Sequence, residues 1–170
     1  ALDLMLAPIL PYTAEEIWSF IPESKGYNKA SVMLNDMPEP QEGLVDEAFM
    51  DRWARLHAIR DDVNKALEQA RAAKTIGKSL EAKVILHCGG EQHGFLSAAA
   101  EILPALFIVS AVELTEEGQG AFAGEVEGIT VDVGPAPGEK CQRCWMQSDT
   151  VGKDEKHPTL CARCAAILAE

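Results

Sequence analysis

Cys141, Cys144, Cys161 and Cys164 stand in the pattern C-x2-C-x16-C-x2-C, and few other patterns in a chain of 170 residues restrict folding as tightly. Each C-x-x-C can fold into a tight knuckle that brings two thiolates to one ion. The 16-residue spacer lets the second knuckle return and close a tetrahedron. Four thiolates leave no open coordination position, so the spacing predicts one structural zinc rather than a catalytic one. A module of about 30 residues is too small to be held by burial alone, and the metal supplies the missing stability. Two disulfides or an iron tetrathiolate would use the same residues and stay as alternatives. The odd total of five cysteines and their paired spacing point to metal in a reducing compartment. His157, inside the spacer, reads as a solvent-facing loop residue, and Cys88 as a packed core thiol.

The net charge of −12 suits a nucleic-acid binder poorly until its distribution is read. Residues 1–49 carry 2 basic and 9 acidic side chains, residues 50–83 carry 8 and 5, residues 84–137 carry 0 and 8, and residues 138–170 carry 5 and 5. All but two of the 15 lysines and arginines thus lie in two segments, where a polyanion would be met. The acidic stretch 84–137 is expected to face away from phosphate. The longest apolar run, Ile102 to Val112, is broken by Pro104 and Ser110 and is too short to span a bilayer. No basic n-region or cleavage site marks a signal peptide. The chain opens without Met on residues that read as the end of an apolar helix, as a piece of a longer protein would.

Proline and helical spacing organise the first half. Residues 1–6 read as a helix end stopped by Pro8 and Pro11. Thr13 and Glu16 suit a capping box opening a short helix over 14–20 that ends before Pro22. Residues 22–44 read as a loop with an extended piece at 31–34. Over 44–73, Phe49, Trp53, Leu56, Val63, Leu67 and Ala70 recur at helical spacing. On a helical wheel Asp51, Asp61, Asp62 and Glu68 fall on the back of that helix. Arg52, Arg60, Arg71 and Lys74 fall within or beside the apolar stripe, either snorkelling around it or forming a basic edge toward RNA phosphate.

After Gly77 the pattern alternates. Ala82–Cys88 reads as a strand, 91–103 as a helix, 106–114 and 129–133 as strands, and 121–127 as a further short strand. Residues 134–138 read as a linker to the cysteine module. The fold class expected is mainly α with a small α+β unit and a zinc ribbon or knuckle. The expected divisions are a helical segment over 1–78, an α+β junction over 79–134 and a zinc domain over 135–170.

Gly77-Lys78-Ser79 looks like the end of a phosphate-binding loop, but the first glycine of that motif is replaced by Ala72 and the strand–loop–helix order is reversed. A helix-to-strand turn is the better reading. Arg143 lies between the first two zinc cysteines and Trp145 directly follows the second. That tryptophan can cover the metal or project and stack on an unpaired base, with Arg143 adding a cation. Among the residues no carboxylate pair, Ser/His/Asp set or open metal site supports catalysis.

Four stretches together resemble one family, the bacterial-type isoleucyl-tRNA synthetases, over nearly the whole chain. Leu6–Trp18 (LAPILPYTAEEIW) is similar to the helical anticodon-binding domain of the class I enzymes for isoleucine, valine and leucine. Arg60–Arg71 (RDDVNKALEQAR), Ile76–Val84 (IGKSLEAKV) and the pair KCQRCW and LCARC resemble the isoleucine enzyme specifically. The resemblance implies a cytoplasmic, monomeric parent that uses ATP to attach isoleucine to its tRNA, with the chemistry on signatures that do not occur here. What remains would be the late anticodon-binding domain, the junction and the zinc domain. It further implies that Arg143 and Trp145 meet the anticodon region, while Arg52, Arg60, Arg71 and Lys74 are candidate phosphate contacts on their helical placement and charge alone. The rival expectation is a purely structural zinc ribbon that clamps the C-terminus and touches no RNA.

Overall fold

The computed structural model describes residues 1–23 and 25–168. They form two compact units, Ala1–Glu47 and Ala48–Glu170.

In the first unit, helices α1 (Leu2–Leu6) and α2 (Pro11–Phe20) bury Leu4, Ala7, Ala14 and Trp18 around Val32. Pro11 starts α2 instead of stopping its predecessor: its fixed φ suits the first helical position, where the missing N–H costs no hydrogen bond. Thr13 therefore lies inside the first turn, and no side chain caps the helix, so the Thr13–Glu16 box does not form. The helix stops where expected, with Ile21 extended ahead of Pro22. Ser31 Oγ accepts from the Met33 amide, winding Val32–Leu34 into a 3-10 turn where an extended piece was expected. Trp18 Nε1 donates to the Asn28 carbonyl at 3.1 Å, and Lys29 Nζ donates to the Trp18 carbonyl at the end of α2.

In the second unit, α3 (Glu47–Ala72) packs on a sheet of order β2-β1-β4-β3. The strands are β1 (Ala82–Cys88), β2 (Ala111–Thr115), β3 (Phe122–Ala123) and β4 (Ile129–Pro135). β1 runs parallel to β2 and antiparallel to β4, and β3 pairs antiparallel with β4. Alternation along β1 turns Ala82, Val84, Leu86 and Cys88 inward, where they meet Leu56, Ile59, Val63 and Leu67 of α3 in one core. Burying each such aliphatic side chain contributes about 1.5–3 kcal/mol.

Between β1 and β2 the chain forms α4 (Gly90–Ser97) and α5 (Leu103–Phe107), not one helix followed by a long strand. Pro104 sits in the first turn of α5, and Ile108 ends it in the left-handed conformation at φ 57°. The apolar run 106–114 is thus split between a helix end and β2 because Leu103, Phe107 and Val109 must all reach the core. Residues 134–135, expected in a linker, extend β4, and the Ala136 amide bonds to Glu81 O at 2.7 Å. Cys88 is buried as expected, and burial raises its pKa. The Gly77 and Lys78 amides both donate to the Glu81 carboxylate at 3.1 Å, which completes the helix-to-strand turn. No helix among the described residues is long and apolar enough to cross a membrane.

Candidate metal centre and nucleic-acid interface

The cysteine module hangs on a hairpin of β5 (Glu139–Lys140) and β6 (Gln147–Ser148). Gly138 opens the hairpin at φ 86°, with the site of a Cβ only 2.3 Å from the Ser148 carbonyl carbon, so no side chain fits there. Ser110, just before β2, ties the module to the sheet. Its hydroxyl donates to Leu80 O at 2.6 Å and accepts the Gln147 amide at 2.7 Å, while its own amide bonds to Ala82 O.

Inside the hairpin, the Cys141 amide bonds to Met146 O and the Trp145 amide to Cys141 O, both at 2.9 Å, folding Cys141–Cys144 into a knuckle. Cys161 and Cys164 flank the start of the last helix, α6 (Ala162–Leu168), and the Ala162 amide is satisfied by Thr150 Oγ1 at 3.0 Å. The Gln142 amide reaches Thr159 O at 3.1 Å and joins the two knuckles.

The four Sγ atoms lie within 4.8 Å of one another. Zinc–thiolate bonds of about 2.3 Å require tetrahedral edges of about 3.8 Å. Cys144 Sγ and Cys161 Sγ stand 3.8 Å apart, so that edge of the cage already has the length the ion needs. Burial disfavours ionisation of Cys141, yet amides of Cys144, Cys161 and Arg143 outweigh it and hold that thiol below its ordinary pKa. Burial also opposes ionisation of Cys164, but the Arg143 side chain and neighbouring thiols bring it below the usual thiol range. For Cys161 burial, with hydrogen bonds from its neighbours, raises the pKa. The donor set suits a thiophilic dication, with two thiols already inclined to ionise. His157 lies outside the cage. It is half-buried rather than solvent-facing, and its amide bonds to Asp154 Oδ1 at 2.8 Å.

Trp145 projects from the first knuckle and is 60% exposed. Its backbone is left-handed at φ 65°. A bulky side chain there carries strain of about 1–3 kcal/mol, and glycine is the usual occupant. The knuckle thus holds a large ring in water at an energetic cost. Arg143, two residues earlier in the same knuckle, is exposed, and its side chain reaches the Cys164 thiol.

The basic residues of α3 separate on inspection. Arg60 Nε donates to Leu106 O at 3.0 Å and braces α5. Arg71 is engaged by Glu68 and donates to Ser79 Oγ at 3.1 Å. It also lines, with Lys74, Thr75 and Gly77, a cleft of about 400 Å³. Arg52 is exposed near the other end of the helix. Only Arg71 and Lys74 therefore share one surface. Lys140 was missed in the sequence, although it directly precedes Cys141; its ammonium sits over the Trp145 ring, 5.5 Å from the centroid.

A helical unit, a sheet domain and a four-cysteine knuckle bearing an exposed tryptophan define the class by their arrangement along the chain. Residues 1–86 match the family described as the anticodon-binding domain of tRNA ligase, and residues 138–167 match the zinc finger found in FPG and IleRS. The chain belongs to the anticodon-binding domain family of tRNA ligases. Its similarity then narrows to isoleucine–tRNA ligases. It is 46% identical over 170 residues to that of Geobacter sulfurreducens, covering 99% of this chain and 18% of the relative. It is also 46% identical over 173 residues to that of Geobacillus thermodenitrificans, covering 100% and 19%. The isoleucine–tRNA ligase of Bacillus cereus strain G9842 is 45% identical over 172 residues, covering 100% and 18%. The chain thus spans under a fifth of the curated relatives it matches.

Proposed function

We propose that this chain is the C-terminal tRNA-recognition portion of a cytoplasmic, monomeric isoleucine–tRNA ligase, and that its cysteine module meets the anticodon region of the isoleucine tRNA. The observation that carries this reading is Trp145, held exposed in a strained backbone conformation on a closed thiolate cage. One zinc ion held by Cys141, Cys144, Cys161 and Cys164 would fix the fold of the module and leave no coordination position for substrate. Trp145 then stacks on an unpaired base, which contributes about 1–3 kcal/mol. Arg143 adds a cation or base-edge donor beside it. Arg71 and Lys74 form a separate phosphate contact, to which Arg52 adds charge along α3, while Arg60 serves as a strut between helices. The segments 1–78, 79–134 and 135–170 are functional divisions: helical anticodon-binding part, junction and zinc domain. Activation of isoleucine with ATP and its transfer to tRNA belong to the rest of the parent ligase.

The test is aminoacylation by a full-length parent carrying Trp145→Ala or Arg143→Ala. The reading expects KM for tRNA to rise about tenfold, with isoleucine activation and zinc content unchanged. Unaltered charging kinetics in both variants would leave the cage as a purely structural ribbon. Elemental analysis of the purified chain should give one zinc per molecule and no iron, and colour from iron would overturn the metal assignment.

A further inference from the structure

Trp145 is not alone on the knuckle. Lys140 ends β5 and stands opposite Gln147 of β6, so the hairpin ladder fixes its backbone one residue before the cage. Its side chain is exposed and turns back over the indole, with Nζ 5.5 Å from the ring centroid. Among the described residues no carboxylate forms an ion pair with this ammonium. A lysine that crosses an aromatic face in water gains about 0.5–1 kcal/mol from the ring quadrupole. It also covers that face. The ammonium thus lies over a ring that is itself 60% exposed.

We propose that Lys140 is a further RNA-contacting residue, whose ammonium exchanges the Trp145 ring for the phosphate beside the base that stacks there. The geometry gives two consequences. The ammonium starts beside the ring, so stacking and charge act on neighbouring parts of the RNA. The hairpin ladder and the knuckle's amide bonds are backbone interactions, so they survive removal of the ammonium, and the effect of Lys140 is separable from folding.

This inference rests on Trp145 contacting RNA, and the experiment separates the two. The affinity of the zinc-loaded chain for isoleucine-accepting tRNA is measured across a salt series for wild type, Lys140→Met, Lys140→Arg, Trp145→Ala and the Lys140→Met/Trp145→Ala double variant. Methionine keeps the stem without the charge, and arginine keeps both the charge and the ring contact. The expected result for Lys140→Met is binding weaker by about three- to tenfold at moderate salt. Its log–log salt slope should be shallower by about 0.7, the loss of one single-strand phosphate contact. Arginine restores both, and methionine has less effect once Trp145 is gone. Equal affinity and slope for wild type and Lys140→Met, with Trp145→Ala still weakened, would overturn the role of Lys140 alone. Equal effects of Lys140→Met with and without Trp145 would overturn the coupling to the ring. Unchanged binding by Trp145→Ala would instead remove the reading of the knuckle itself.

Discussion

Two buried aspartates show how one residue type can serve opposite ends. Asp62 of α3 is 5% exposed and accepts the Val126 amide at 2.8 Å, with Lys65 Nζ at 3.3 Å. Gly124 is required above it, since a Cβ there would lie 2.1 Å from Asp62 Cγ. Burial disfavours the charge, but the Val126 and Glu125 amides and Lys65 outweigh it and lower the pKa. A depressed folded pKa means the contribution is full above the ordinary carboxylate value of about 4 and fades as pH falls through the lower folded value. Asp62→Ala should therefore lose about 2–3 kcal/mol in urea unfolding near neutral pH, with the deficit shrinking in acid. A deficit that does not change with pH would contradict this. Asp3 is 9% exposed with neither carboxylate oxygen bonded among the described residues, and it lines an apolar cavity of about 400 Å³ with Leu4, Ile17 and Trp18. Asp3→Leu should raise thermal stability, by about 1–2 kcal/mol, and a lower midpoint would show that the carboxylate is stabilising.

At the scale of elements, legibility followed the number of residues that repeat one rule. The long helix was visible over 44–73 and forms over Glu47–Ala72, because its aliphatic positions recur over many turns. β1 was read with its observed ends, since its alternation is uninterrupted. Elements a turn or two long depend on single residues whose roles are ambiguous. Pro11 opens a helix where it was read as closing one, and Ile108 divides an apolar run that looks continuous. Asp62 was read on the back of the helical wheel, yet it is buried, because a loop 64 residues away covers it, which periodicity cannot register. The cage was legible because metal ligands impose spacing on the sequence. Lys140 was not, since its contact with Trp145 exists only once the hairpin has turned. Arg60 reads like its basic neighbours, yet it bonds the Leu106 carbonyl at the end of α5. Arg60→Ala should cost about 1.5–3 kcal/mol of stability and leave the salt slope of tRNA binding unaltered. A shallower slope at full stability would make it a phosphate contact after all.

At the scale of the whole molecule, the second unit holds two separate cores, which implies separable failure. The sheet and α3 share one hydrophobic cluster, whereas the cysteine module has its own, built from Cys141, Leu160, Cys161 and Cys164. Chelation should therefore abolish amide protection over 138–168 and preserve it in β1 and β4, as read by hydrogen exchange. Simultaneous loss in both regions would show that the metal holds the larger domain too. With a net charge of −12, the RNA binding proposed above cannot rest on bulk attraction and requires localised sites. The most direct measurement is equilibrium binding of the zinc-loaded chain to isoleucine-accepting tRNA and to the same tRNA with its anticodon loop replaced. Recognition through the knuckle predicts that replacing the loop weakens binding by about tenfold or more. Equal affinity for the two RNAs would contradict it.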